Sequence, residues 1–363
     1  MQFGPVHRFY DAVRGAAARV GLSNYIPELL LRFGLPGMMT RIGVDPPVKV
    51  DLSLLHAQKL YHSLVFEHAE ALSAAFRARE LPHFFAKGIA LVGRVYKPGD
   101  RFFGDVDLYV PFEARDESVE TLAQLGYGPL PETDQAGPPE LRSALALEYV
   151  LGADIDRIGV DLHWTLDPVE RLLPRRDRPI PQPIWDNVHV GETFNVPTPE
   201  HHAAILAHHL VHTDLLHVRS LLDLAFVFQE FADDGGHDFL ATCDQFRLGR
   251  FGATLAIILD RDFGVSRPAA QRNSSAGNAF LRRLNLEDWL TIVARADPDD
   301  DSRITVGRIR RRLLILDHWP IRTLGADVLA PPASFLAWRW GLPLWRARLR
   351  HLGQLARKVT QWA

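Results

Sequence analysis

The run "FGDVDLYV", residues 103–110, sets two acids one residue apart inside an apolar stretch. Nothing else in the chain restricts the fold as tightly. Side chains of a strand alternate with a period of two. Asp105 and Asp107 therefore project from one face, and Val106, Leu108 and Val110 from the other. The apolar face calls for a core. The acidic face calls for water or a cation, because charge is costly to bury alone.

A second segment repeats the pattern. In "RIGVDLHWTL", Ile158, Val160, Leu162 and Trp164 share one face, while Asp161, His163 and Thr165 share the other. If the two strands are neighbours, three carboxylates converge: Asp105, Asp107 and Asp161. Glu148, in the preceding "ALALEYVL", is a rival for the third place. Clustered carboxylates repel one another unless a cation lies among them, and oxygen ligands suit Mg²⁺ or Mn²⁺. Such a cluster can hold two ions that bridge a nucleotide's phosphates. Upstream, "AKG" falls where a strand gives way to a helix. Gly88 permits close backbone approach there, a helix N-terminus attracts phosphate, and Lys87 adds positive charge. Arg101 is a further triphosphate contact, or a plain loop charge. His163 shares the Asp161 face and is either a ligand-side group or a satisfied buried histidine.

The chain of 363 residues is too long for one ordinary core. The pattern predicts an N-terminal helical segment over 1–80, an α/β (α+β) core with a small mixed sheet over 81–198, and a helical domain over 199–363. Within these, a long helix runs from Ser53 to about Arg79, with Ser53 as its N-cap. "LPHFFAKG" reads as a short buried strand, "IALVGRVY" as a helix of about two turns. A helix follows over 115–125, then a Pro/Gly-rich loop, then a hairpin of the two strands around "GADID".

"EHHAAILAHHLVHTDLLHVRSLLDL", residues 200–224, crowds histidines onto helix. His208 and His212 have metal-ligand spacing, but no Glu stands between them as a zinc protease needs. The favoured reading is a helix packed over the site, with His209 and His212 facing it. Arg219 and Asp223 are four apart and expected to pair, as a structural tie or a substrate clamp.

The single cysteine, Cys243, excludes an internal disulfide and any Cys-based zinc site. With no signal-peptide pattern and no long apolar run, a cytoplasmic location is expected. Charge is uneven: from Arg303 onward 12 Lys/Arg face 2 Asp/Glu, a local +10, and the rest carries −13. The overall −3 gives no sign of a nucleic-acid partner. The basic, Trp-rich tail leaves a peripheral membrane contact open, although the favoured expectation is a helix packing its Leu/Trp stripe on the acidic body.

Four motifs in order resemble the bacterial "uncharacterised nucleotidyltransferase" family of the polymerase-β-like superfamily. They are "AKGIAL" at 86–91, "FGDVDLYV" at 103–110, "VDLHWTL" at 160–166 and "HHLVHTDLLHVRSLLDLAFV" at 208–227. The tail "LAPPASFLAWRWGLPL" also looks like the family's, so the resemblance covers roughly 50–350. It implies a polymerase-β-like fold and Mg²⁺-dependent transfer of a nucleotidyl group from an NTP to an acceptor, releasing pyrophosphate. Asp105 and Asp107 would bind two metals. Asp161 would complete the site and orient or deprotonate the acceptor, and Lys87 and Gly88 would hold phosphate. The wider superfamily usually has Gly-Ser where this chain has Lys87-Gly88. The acceptor implied is a small molecule, such as a sugar derivative, or a peptide. Two alternatives stay open: metal-dependent glycosyl transfer from a sugar nucleotide, and a non-catalytic nucleotide-binding protein. The oligomeric state is not legible.

Overall fold

A computed structural model describes residues 4–21, 52–129 (bar 93, 98 and 102), 146–151, 158–166, 179–212, 219–230, 237–265 and, isolated positions apart, 340–360. Helix α1 spans Gly4–Arg19 and helix α2 spans Leu52–Ala78. Strand β1 (Phe84–Ala86) runs directly into helix α3 (Lys87–Leu91). Strand β2 (Asp105–Tyr109), helix α4 (Arg115–Gln124) and strands β3 (Gly128–Pro129), β4 (Ala146–Leu151) and β5 (Ile158–His163) follow. The five strands form one mixed sheet in the order β1-β2-β5-β4-β3. β2 and β5 are parallel at its centre, and the other pairs are antiparallel. The expected hairpin is β4–β5; its connection lies outside the described residues.

Beyond the sheet come helix α5 (Gln182–Asp186) and a small hairpin of β6 (Val188–Val190) and β7 (Asn195–Pro197). Helices α6 (Pro199–His212), α7 (Arg219–Gln229), α8 (His237–Gln245), α9 (Gly249–Phe263) and α10 (Leu344–Thr360) complete the described chain. α9 stops at Gly264, whose φ of 61° is the left-handed value that favours glycine. Among the described residues no helix is long and apolar enough to cross a membrane.

The alternation read from sequence is what attaches the sheet. Val106, Leu108, Val110, Val160 and Leu162 are fully buried, in a core they share with Val65, Leu72 and Phe76 of α2. Burying each such side chain contributes about 1.5–3 kcal/mol, which outweighs the roughly 1 kcal/mol span of strand propensity that disfavours Asp in β2. On the other face, Phe84, Ala86 and Tyr109 join a second core with α6 to α9. Across it, Phe84, Tyr109 and His163 are register partners and stack, with ring centroids 4.9 and 4.6 Å apart.

Two local expectations change. "IALVGRVY" is not two helical turns: α3 ends at Leu91, and Val92 is extended at φ −73°, ψ 135° and bridges Tyr96. The β-branched Val92 favours that extended backbone, after which the Val95 N–H donates to Leu91 O at 2.8 Å and turns the chain back. Among the described residues, α2 lies against the sheet and α4, and α1 packs on α7 and α9. The stripe of the tail helix is not turned inward, for Trp345, Leu349 and Leu352 are 60%, 62% and 45% exposed.

Candidate active site

The site grows from the register of β2 and β5. Asp107 stands directly opposite Asp161, and Tyr109 opposite His163. One ligand atom from each of Asp107, Asp161 and His163 lies within 4.8 Å of the others, a group able to hold a metal ion. Asp107 is 3% exposed. Its Oδ1 accepts from Lys87 Nζ at 2.5 Å and sits 3.2 Å from His163 Nε2. Burial alone would raise its carboxyl; the Lys87 ammonium and the His163 contact overcome that and lower it to about 2. Lys87 is correspondingly held protonated, its burial outweighed by Asp107, with Tyr109 and Asp105 adding to the effect.

Lys87 reaches Asp107 because of where β1 ends. Its backbone φ is +54°, a conformation that is costly for a residue with a side chain. A histidine steadies this turn: the Lys87 N–H donates to His202 Nε2 at 3.0 Å. His202, on α6, is fully buried. Burial, then the charges of Arg94 and Arg101, lowers it to about 3, so the ring is neutral and able to accept. Sequence reading passed over His202 in favour of its neighbours. The only signal for it was its place two positions into the His-rich run, on the helix face that returns at His209.

The remaining candidates fall in different places. Asp105 opens β2, exposed, opposite Gly159 rather than an acid, and is not part of the three-residue ligand group. It still lies close enough to Lys87, Arg101 and Tyr61 to raise all three. Glu148 pairs in register with Asp161, and its side chain lies outside the described residues. Gly88 is buried, and the space a Cβ would need is taken by Phe103 Cβ at 2.8 Å and Arg101 Nη1 at 2.9 Å. His209 is partly buried on α6, while the side chains of His212 and Arg219 lie outside the described residues.

Arg101 is buried, with its guanidinium on a carboxylate from the helical half. Its Nε and Nη2 donate to Asp223 Oδ1 and Oδ2 at 2.8 and 2.7 Å, and Tyr96 OH also donates to Oδ1 at 2.8 Å. The carboxylate expected to pair with Arg219 is thus bound by a fork from the loop that leads into β2. That tie fixes α7 against the loop before Asp105.

Residues 45–263 match the model of a family described as uncharacterised nucleotidyltransferase, more than half of the chain. The chain belongs to that family. It is accordingly an enzyme of the nucleotidyltransferase class, a transferase of phosphorus-containing groups. The matched region contains β1 to β7 and α6 to α9, and therefore every residue of the Asp107, Asp161 and His163 group. No curated protein and no solved structure matches.

Proposed function

We propose that this nucleotidyltransferase is a divalent-metal enzyme, Mg²⁺ or Mn²⁺, that takes an NTP as donor and a small molecule or peptide as acceptor. The observation that carries this reading is the meeting of Asp107, Asp161 and His163 within 4.8 Å. The donor set fits: two carboxylates in register on adjacent strands, one of them held ionised, beside an imidazole nitrogen. The imidazole makes Mn²⁺ as good a match as Mg²⁺. A divalent ion there would polarise the phosphate and neutralise charge on the leaving group. The exposed Asp105, next to the group on the same strand face, is the residue for a second ion.

The chain's own residues supply the rest. Asp107 is ionised without any adjustment on binding. Lys87 is a cation already at the site and meets the phosphates as they arrive. Asp161 is placed to orient the acceptor hydroxyl and receive its proton. The acceptor oxygen bonds to the α-phosphorus, the bond from that phosphorus to the bridging oxygen breaks, and pyrophosphate leaves. Arg101 ties Asp223 to the loop before β2 and keeps its Nη1 beside Gly88, where the phosphates would arrive.

The test is thermal stabilisation by each NTP and by several sugar nucleotides, with and without Mg²⁺, for wild type and Asp107→Asn/Asp161→Asn, with product analysis. Mg²⁺-dependent stabilisation in wild type alone, with pyrophosphate released, supports the proposal. Release of a nucleoside diphosphate would replace the donor by a sugar nucleotide. No shift with any nucleotide would remove the nucleotide site.

A further inference from the structure

The C-terminal helix has a surface that the transferase site does not use. In α10, Leu344–Thr360, five Lys or Arg occur with no Asp or Glu. Ala347 and His351, four residues apart, are buried and form the side by which the helix is attached. Trp345, Leu349 and Leu352 are exposed. At about 100° per residue, these three fall within an arc of roughly 60° on the side away from Ala347 and His351. On the same count Arg348 borders that arc on one side and Arg346 on the other. Both are exposed, and the Arg346 guanidinium lies over the Trp345 ring at 5.0 Å.

A protein gains nothing in water by turning a Trp/Leu stripe outward, and a solubilising helix would have shown charge there. Apolar residues flanked by cations, with an aromatic among them, fit the boundary between lipid headgroups and acyl chains. There the stripe enters the apolar layer, and the arginines extend to the phosphates with their stems along it.

We propose that α10 binds the enzyme peripherally to an anionic bilayer surface, with Trp345, Leu349 and Leu352 inserted and Arg346 and Arg348 on the headgroup phosphates. Two other occupants fit less well. Nucleic acid would use the cations and leave the apolar stripe in water. A second copy of this helix would bring two acid-free cationic faces together. The proposal is independent of the transferase chemistry.

The experiment is co-sedimentation of the full-length protein with vesicles of phosphatidylcholine alone and of phosphatidylcholine with phosphatidylglycerol. Two variants accompany it: Trp345→Ser/Leu349→Ser and Arg346→Gln/Arg348→Gln. Wild type is expected to pellet with the anionic vesicles only, and less so as salt rises. Each arginine near an anionic surface favours binding about fivefold, so the double Gln variant loses roughly tenfold or more. The Ser variant loses binding too, with its melting temperature unchanged because both side chains are exposed.

Absence of binding to anionic vesicles overturns the proposal. So does unchanged binding by the Ser variant, or a lower melting temperature for it, which would show the stripe packed against the chain. A lipid-free dimer that the Ser variant abolishes would assign the face to a second copy, and salt-sensitive binding of RNA with none to vesicles would assign it to nucleic acid.

Discussion

Asp107 and Asp161 stand opposite each other on adjacent parallel strands, and Lys87 Nζ rests on the first of them at 2.5 Å. A buried carboxylate in this site therefore already requires a cation. Lys87→Met withdraws it and should destabilise the protein by about 3–5 kcal/mol, the usual cost of breaking a buried pair. Adding Mn²⁺ should restore more of the variant's melting temperature than it adds to wild type. An unshifted melting temperature in the variant would mean that Asp107 is not held by Lys87.

The Arg101–Asp223 fork should be among the least dispensable interactions outside the site. Asp223→Ala leaves a buried guanidinium and the Tyr96 hydroxyl without their acceptor. A loss of about 3–5 kcal/mol is expected in denaturant unfolding. Arg101→Met/Asp223→Leu should recover a large part of it, since removing both partners leaves no charge buried alone. A double variant as unstable as the single one would show that the fork is not the reason.

Gly88→Ala probes why glycine follows Lys87. The added Cβ would meet Phe103 Cβ, an atom next to its own backbone that cannot swing aside. Overpacking of this kind costs about 1–3 kcal/mol. If chemical denaturation shows no loss, the close approach of Phe103 and Arg101 is not required.

The parts of the fold that were legible rest on period-two alternation. It assigned Val106, Leu108, Val160 and Leu162 to one core and Asp107, Asp161 and His163 to the opposite face. What alternation cannot supply is register between strands more than fifty residues apart. Register sets Asp107, rather than Asp105, directly opposite Asp161, and His163 joins those two within 4.8 Å. Partners distant in sequence were equally hidden. His202 lies 115 residues from the Lys87 N–H it accepts, and Asp223 lies 122 from Arg101. Local spacing had offered Arg219 to Asp223, because an i, i+4 pair is visible in sequence and a fork from another element is not. The tail's exposed stripe was missed for a related reason: amphipathicity defines two faces and does not say which one packs.

His202 should leave a signature in acid. Its folded value is lowered to about 3, below the ordinary 6.5 or so, so the unfolded chain binds the proton first. The stability it contributes is complete above pH 6.5 and falls as pH drops toward 3. By pH 5 the loss is on the order of 2 kcal/mol. Arg94, Arg101 and Asp107 are the charged groups that act on the ring. His202→Gln, whose amide oxygen can accept the Lys87 N–H, should fold and show a shallower decline in melting temperature between pH 7.5 and 5. Equal slopes for the two proteins would contradict a buried neutral imidazole.

The most direct test of the central claim is Mn²⁺ titration of the full-length protein, followed by the electron paramagnetic resonance signal of free Mn²⁺, with and without an NTP. If Asp107, Asp161 and His163 form the metal centre, wild type removes Mn²⁺ from solution, most strongly with nucleotide present. Asp107→Asn and Asp161→Asn should each weaken that uptake by at least about tenfold, since even outer-shell losses cost that much. Uptake equal in wild type and both Asn variants would place the metal elsewhere and contradict the account.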